Sequence, residues 1–325
     1  MNVRRLIPTS AAAGAVALGL MTVSACSSSN AADDGSGGKL KVVASFYPMQ
    51  YLAEEIGGDH VSVSTLTKPG VEPHELELEP RQTAELNEAG YILYLKGIQP
   101  AVDKAIAQSE AKNKVDAAGL TKLEHHGTEG GHSHEGEEAG HDEHGHAGEG
   151  EAGADPHIWL DPVKYAEVAK GVGKSLEKAD PDHAADYRKN TDALVTKLDG
   201  LNRTYQQGLK NTATKTFFTT HSAFGYLAER YGLDQEGIAG LDPESEPSPA
   251  RIKDLQAIAK KDKVTTVFFE TLASDKTAKT LAKDAGLKTD VLDPLEGITD
   301  KSKGADYIEV MQSNLAALQK ALGAK

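Results

Sequence analysis

Val42-Val43-Ala44-Ser45-Phe46 leads into Tyr51-Leu52-Ala53-Glu54 and Gly57, and the same construction returns at a constant offset of 175 as Phe217-Phe218-Thr219-Thr220-His221, Tyr226-Leu227-Ala228-Glu229 and Gly232. A short β-branched or aromatic run followed by apolar residues at helical spacing reads as a strand feeding a helix. Outward from the first copy, strands are predicted over 39–45, 60–66, 91–95 and near Val115, with helices over 47–56, 80–88 and 101–109. Outward from the second, strands over 216–220, 265–269 and 288–292 alternate with helices over 224–231, 249–261, 275–285 and 305–322. Alternation of this kind predicts an α/β chain of two lobes, each a mostly parallel sheet flanked by helices. The repeat also puts His221 just beyond the carboxyl end of a strand, where open parallel sheets collect their ligands.

Between the two series, Tyr187, Leu194, Leu198, Leu201 and Tyr205 recur at helical spacing. Asp180 can cap the start and Pro181 suits a first turn, so one long rigid helix over 181–211 is expected to join an amino-terminal lobe (39–180) to a carboxy-terminal lobe (212–325). A stiff connector of this length limits how far two lobes can swing.

The first residues set the compartment. Arg4 and Arg5 precede an apolar stretch over 11–22, then Ser24, Ala25 and Cys26, the chain's one cysteine. That is the layout of a signal peptide over 1–25, too short for a membrane span. Val23-Ser24-Ala25-Cys26 resembles the bacterial lipobox, which makes Cys26 the lipidated first residue of the mature chain and 26–38, rich in Ser, Gly, Asn and Asp, a flexible tether. Arg4-Arg5 leaves the general and twin-arginine export routes both open. The formal net charge of −14 argues against a nucleic-acid partner.

The chemistry is concentrated in histidine. Of 12 histidines, three stand in separate, distinctive contexts: Pro73-His74-Glu75, Asp155-Pro156-His157-Ile158-Trp159 and Thr219-Thr220-His221-Ser222. Seven more, His125, His126, His132, His134, His141, His144 and His146, crowd a segment over 124–153 made almost wholly of His, Glu, Asp, Gly and Ala. Without apolar groups to bury, that segment is expected to be a mobile loop whose histidines bind metal weakly, either gathering it or merely solubilising the chain. Neutral imidazole is the commonest side-chain ligand for zinc, so the composition points to a chain built around one transition ion. His60 and His183 read as ordinary surface residues.

Five strings taken together, Pro69-Gly70-Val71-Glu72-Pro73-His74, Asp155-Pro156-His157-Ile158-Trp159-Leu160-Asp161-Pro162, Thr219-Thr220-His221-Ser222-Ala223-Phe224, Glu246-Pro247-Ser248-Pro249 and Leu292-Asp293-Pro294-Leu295-Glu296-Gly297, make the chain resemble the zinc-binding lipoproteins of the ABC-importer solute-binding family, the zinc and manganese group. The resemblance implies two lobes joined by a rigid helix, a monomer held outside the cytoplasm of a bacterium by its lipid, and Zn2+ as cargo passed to a membrane permease with its ATPase. It implies His74 and His157 as ligands from the first lobe and His221 from the second. The fourth position falls to Glu296, with Asp293 or water as alternatives. A manganese site would ask for more oxygen donors than three imidazoles allow.

Other classes can be weighed on the same residues. His74-Glu75 lacks the second histidine of a His-Glu-x-x-His hydrolase helix, and Glu270 reads as a structural carboxylate at a strand end. The reading is therefore not an enzyme. No Gly-x-x-x-x-Gly-Lys-Ser/Thr loop is present, so energy for transport must come from a partner. Manganese carriage, metal storage and adhesion remain as alternatives.

Overall fold

The computed structural model describes residues 38–126 and 153–325. The first sheet is built from β1 (Leu40–Ala44), β2 (Val61–Thr65), β3 (Tyr91–Tyr94) and β4 (Lys114–Asp116), in the order β2-β1-β3-β4 and parallel throughout. Helices α1 (Tyr47–Gly57), α2 (Pro80–Glu88) and α3 (Pro100–Gln108) make its crossovers, and α4 (Pro162–Ala179) follows. After α5 (Ala184–Gly208) the plan repeats: β5 (Thr216–Thr219), α6 (Gly225–Tyr231), β6 (Asp234–Gly237), α7 (Pro249–Lys261), β7 (Thr266–Phe269), α8 (Lys276–Ala285), β8 (Lys288–Val291) and α9 (Tyr307–Leu322). The second sheet is again parallel, in the order β6-β5-β7-β8. Both lobes therefore carry the α/β architecture expected of them.

Local chemistry sets the boundaries. Pro48 opens α1, whose Met49, Leu52, Ala53 and Ile56 form one buried face. Glu79 and Gln82 cap α2 reciprocally, and the Asp161 carboxylate accepts from Val163 N at 2.9 Å to start α4.

The connecting helix departs from its expected limits. Pro181–His183 form a separate 3-10 turn, and Asp180 does not cap the helix: its carboxylate accepts from Tyr187 Oη at 2.6 Å and faces His183 Nδ1 at 2.8 Å. What remains is a helix of 25 residues, about 37 Å long. Its buried stripe, Tyr187, Thr191, Leu194, Leu198, Leu201 and Tyr205, faces both lobes. Near its start Asn190 donates to Ile56 O of α1 at 3.0 Å, and near its end Tyr205 Oη donates to Met311 O of α9 at 2.6 Å. Gly173 of α4 makes the α4–α5 contact possible, since a Cβ there would lie 2.2 Å from Thr191 Oγ1.

Two elements have no counterpart in the sequence reading. β6 is an edge strand of sequence Asp-Gln-Glu-Gly, with no apolar alternation to betray it. α4 does carry Tyr165, Val168, Val172 and Leu176 on a buried face, but Gly171 and Gly173 dilute its helical signal.

One hydrophobic cluster runs from Val42 and Ala44 in the first sheet through Trp159, Tyr165 and Leu198 to Phe217, Phe268 and Tyr307 in the second half. The rings of Tyr51 and Tyr165 both pack on Tyr307, at 5.4 and 4.7 Å between centroids. Tyr307 Oη donates to Trp159 O, and Trp159 Nε1 donates to Pro294 O. A shared core stiffens the molecule more than the connecting helix alone would.

Candidate metal centre

Four chain segments end at one point. His74 lies in the loop between β2 and α2, where its backbone N–H and that of Glu75 donate to the Glu72 carboxylate at 3.1 and 3.2 Å. His157 stands just before the 3-10 turn Ile158–Leu160 that leads into α4. His221 follows β5, with its carbonyl taking bonds from Thr219 Oγ1 and Gln235 Nε2. Glu296 lies in the loop after β8, reached through a turn in which Leu295 adopts φ 58° and donates its N–H to the Asp293 carboxylate at 2.9 Å.

One ligand atom from each of His74, His157, His221 and Glu296 can be chosen so that all lie within 4.8 Å of one another. Glu296 Oε1 is 3.2 Å from His74 Nε2, 3.4 Å from His221 Nε2 and 3.6 Å from His157 Nε2. A tetrahedron with zinc bonds of about 2.0 to 2.2 Å has edges of about 3.3 to 3.6 Å. The three edges that meet at Glu296 therefore match those around one small tetrahedral cation, and the remaining three lie within 4.8 Å. Only the His74 side chain retains exposure, 11%; His157 and His221 are at 0% and Glu296 at 1%.

The electrostatics also ask for a cation. His157 Nδ1 faces Asp155 Oδ1 at 2.7 Å, and His221 Nδ1 faces Glu270 Oε1 at 2.6 Å. Each carboxylate fixes a proton on Nδ1 and turns Nε2 towards Glu296 as a lone pair. Both Nε2 atoms are buried without a hydrogen-bond partner. Lone pairs facing a carboxylate oxygen at this range repel unless protons or a metal stand between them. Burial opposes the charge of His221, yet Glu270 and Glu296 hold its imidazole well above the ordinary value. Burial likewise opposes that of His157, and Asp155 and Glu296 raise it. Burial alone would raise the Glu296 carboxyl, but His157, His221 and His74 around it hold it well below the usual carboxylate range.

The other residues singled out from the sequence are placed differently. Asp293 stands outside the group: its carboxylate takes Leu295 N and Thr271 Oγ1, while its backbone exchanges two bonds with Asn314. Glu270, read as structural, is the partner of His221 and also takes Thr220 Oγ1. The role of Asp155 escaped the sequence reading, although its place two residues before His157 was a usable signal. His60 and His183 stack with centroids 4.0 Å apart, each facing an aspartate, Asp186 and Asp180, at the α1–α5 seam. His125 faces Gly153 O at 3.1 Å, and His126 lies between Asp155 and Glu229. Cys26, His132, His134, His141, His144 and His146 lie outside the described residues. No helix among the described residues is long and apolar enough to cross a membrane.

Residues 42–321 match the model of the ZnuA family, zinc-uptake complex component A, periplasmic. The chain is 37% identical over 315 residues to the high-affinity zinc uptake system protein ZnuA of Bacillus subtilis, covering 94% of this chain and 96% of that protein. It is 38% identical over 300 residues to the zinc-binding lipoprotein AdcA of Streptococcus pneumoniae, covering 91% of this chain but 57% of AdcA, so it spans little more than half the length of that relative. The crystal structure of the Zn(II)-bound ZnuA-like domain of the same AdcA superposes with a TM-score of 0.70 at 35% identity, covering 88% of this chain and 99% of that domain.

Proposed function

The chain belongs to the ZnuA family of zinc-uptake components, and from that membership and the cluster's geometry we propose that it binds one Zn2+ between its lobes and hands it to an ABC permease. The observation that carries this reading is the convergence of three imidazole nitrogens and one carboxylate oxygen, nearly all buried, within 4.8 Å of one another. His74 and His157 supply ligands from the first lobe, and His221 and Glu296 from the second. Asp155 and Glu270 keep the Nε2 lone pairs of His157 and His221 aimed inward. Three neutral nitrogens and one oxygen suit zinc over manganese, whereas copper and nickel would compete in vitro.

Four protein ligands leave no vertex for a water or a substrate, which favours carriage over hydrolysis. Capture exchanges the protons held by the cluster for the metal. Release to the permease then requires opening at least one vertex, and His74 is the member nearest solvent. The continuous core and the connecting helix favour local tilts and loop movements over a wide hinge. Energy comes from the partner ATPase. Export by the signal over 1–25 and lipidation at Cys26 would hold the monomer outside the cytoplasm, beside its permease.

Trp159 packs on the His157 ring with centroids 5.1 Å apart and is fully buried, so its fluorescence should report ligation. Titrating metal-free protein with zinc should give a saturable first equivalent. His74→Ala, His157→Ala and His221→Ala should each lose it, and His183→Ala should keep it. An intact first phase in all three cluster variants would defeat the assignment.

A further inference from the structure

His126 belongs by sequence to the histidine-rich run, yet its ring sits in a defined socket. Its Nδ1 lies 2.9 Å from Asp155 Oδ2 and its Nε2 lies 3.0 Å from Glu229 Oε2 on α6. The other oxygen of the same aspartate, Oδ1, takes both the backbone N–H and the Nδ1–H of His157, at 2.9 and 2.7 Å. A single carboxylate, itself without exposure, thus spans from the run to the metal cluster. Tyr226 packs edge-on against the His126 ring at 4.5 Å, and its hydroxyl donates to Asp155 O at 2.7 Å while accepting from Glu124 N at 2.8 Å. Gly225 makes room for the arrangement: a Cβ there would lie 2.4 Å from His126 Cβ and 2.9 Å from Asp155 Oδ2.

An aspartate has only two side-chain torsions. With Oδ2 pinned by His126, the carboxylate cannot rotate away from His157. With His126 gone, a buried oxygen loses its donor and the group turns or takes in water to recover one. We propose that His126 is a positioning residue of the zinc site, acting through Asp155 on His157. The proposal rests on the zinc reading of the cluster.

The test is zinc release from the full chain into excess chelator, followed by Trp159 fluorescence, in a set of variants that separates hydrogen bonding from metal binding. Asparagine places its amide nitrogen where Nδ1 of histidine stands, facing Asp155; glutamine places its own near Nε2, facing Glu229. Neither retains an imidazole. Loss of a direct partner of a ligand typically costs about 10- to 100-fold in metal affinity, so His126→Ala and His126→Gln, one contact further out, should speed release by about 3- to 10-fold. His126→Asn should restore release to within about twofold of wild type, and His126→Ala should add nothing in an Asp155→Asn background, as expected for residues acting in series. Wild-type release in both His126→Ala and His126→Gln, or an undiminished effect of His126→Ala in the Asp155→Asn background, would overturn the inference alone. Absence of a tight first equivalent in the wild-type chain would instead remove the zinc reading, and this inference with it.

Discussion

Phe46 and His221 occupy the same address in the two lobes. Each is 175 residues from the other, each lies just past the central strand of a parallel sheet, β1 or β5, and each precedes a helix that repeats Tyr-Leu-Ala-Glu. Both side chains are buried completely. Phe46 packs edge-to-face with Trp159 at 5.1 Å and belongs to the core, whereas His221 receives the carboxylate of Glu270, just past β7, and points its second nitrogen at Glu296. The fold supplies the position at the carboxyl ends of the strands; what happens there depends on whether the residue can ligate and whether a partner fixes its proton. In the first lobe that chemistry has moved to the loops, to His74 and His157.

The largest effect belongs to the polar member of the pair. His221→Ala should abolish the tight zinc phase, an effect larger than the roughly 10- to 100-fold expected for an outer partner, and zinc should no longer raise the melting temperature of that variant. Retained tight binding would mean that the address does not matter. The next effect is smaller: Glu270→Gln and Asp155→Asn should each weaken zinc by about 10- to 100-fold, measured by competition with a chelator.

Proton competition sharpens the same contrast, since only the polar address titrates. His157 and His221 are raised above the ordinary imidazole value, so metal-free protein holds protons there that zinc must displace. Zinc affinity should therefore fall as pH falls, beginning above about 6.5. Stability of the metal-free chain carries the opposite sign: the contribution of a raised histidine is present below its unfolded value and is lost as pH rises through the folded one. The gap in melting temperature between loaded and metal-free protein should then widen from pH 6 to pH 8. Calorimetry in buffers of different ionisation enthalpy should show protons released on binding at neutral pH. The smallest effect on zinc belongs to Phe46→Ala. It should cost about 3 to 5 kcal/mol of stability in denaturant unfolding and leave a tight first equivalent under conditions where the variant is folded.

Much of this was legible in the amino acids because strand and helix periodicities are local. The α2 and α7 boundaries agree with the sequence reading, and the histidines at 74, 157 and 221 stand in strings distinctive enough to single out. What escaped depends on tertiary partners. Asp180 looks like a helix cap until Tyr187 and His183 claim its carboxylate. β6 is recognisable as a strand only beside β5. Asp293 and Glu296, three residues apart, could not be ranked by chemistry alone; the turn at Leu295 turns the aspartate inward to its own backbone and leaves the glutamate to the histidines. Nor does composition distinguish His126 from the rest of its run, since its aspartate and glutamate lie 29 and 103 residues away.

The most direct test is a zinc-edge anomalous difference map from crystals of the zinc-loaded chain. A strong peak should lie about 2.0 to 2.2 Å from Nε2 of His74, His157 and His221 and from a Glu296 oxygen. A map with its principal peak elsewhere, and with those four atoms bound only to one another or to water, would contradict the account.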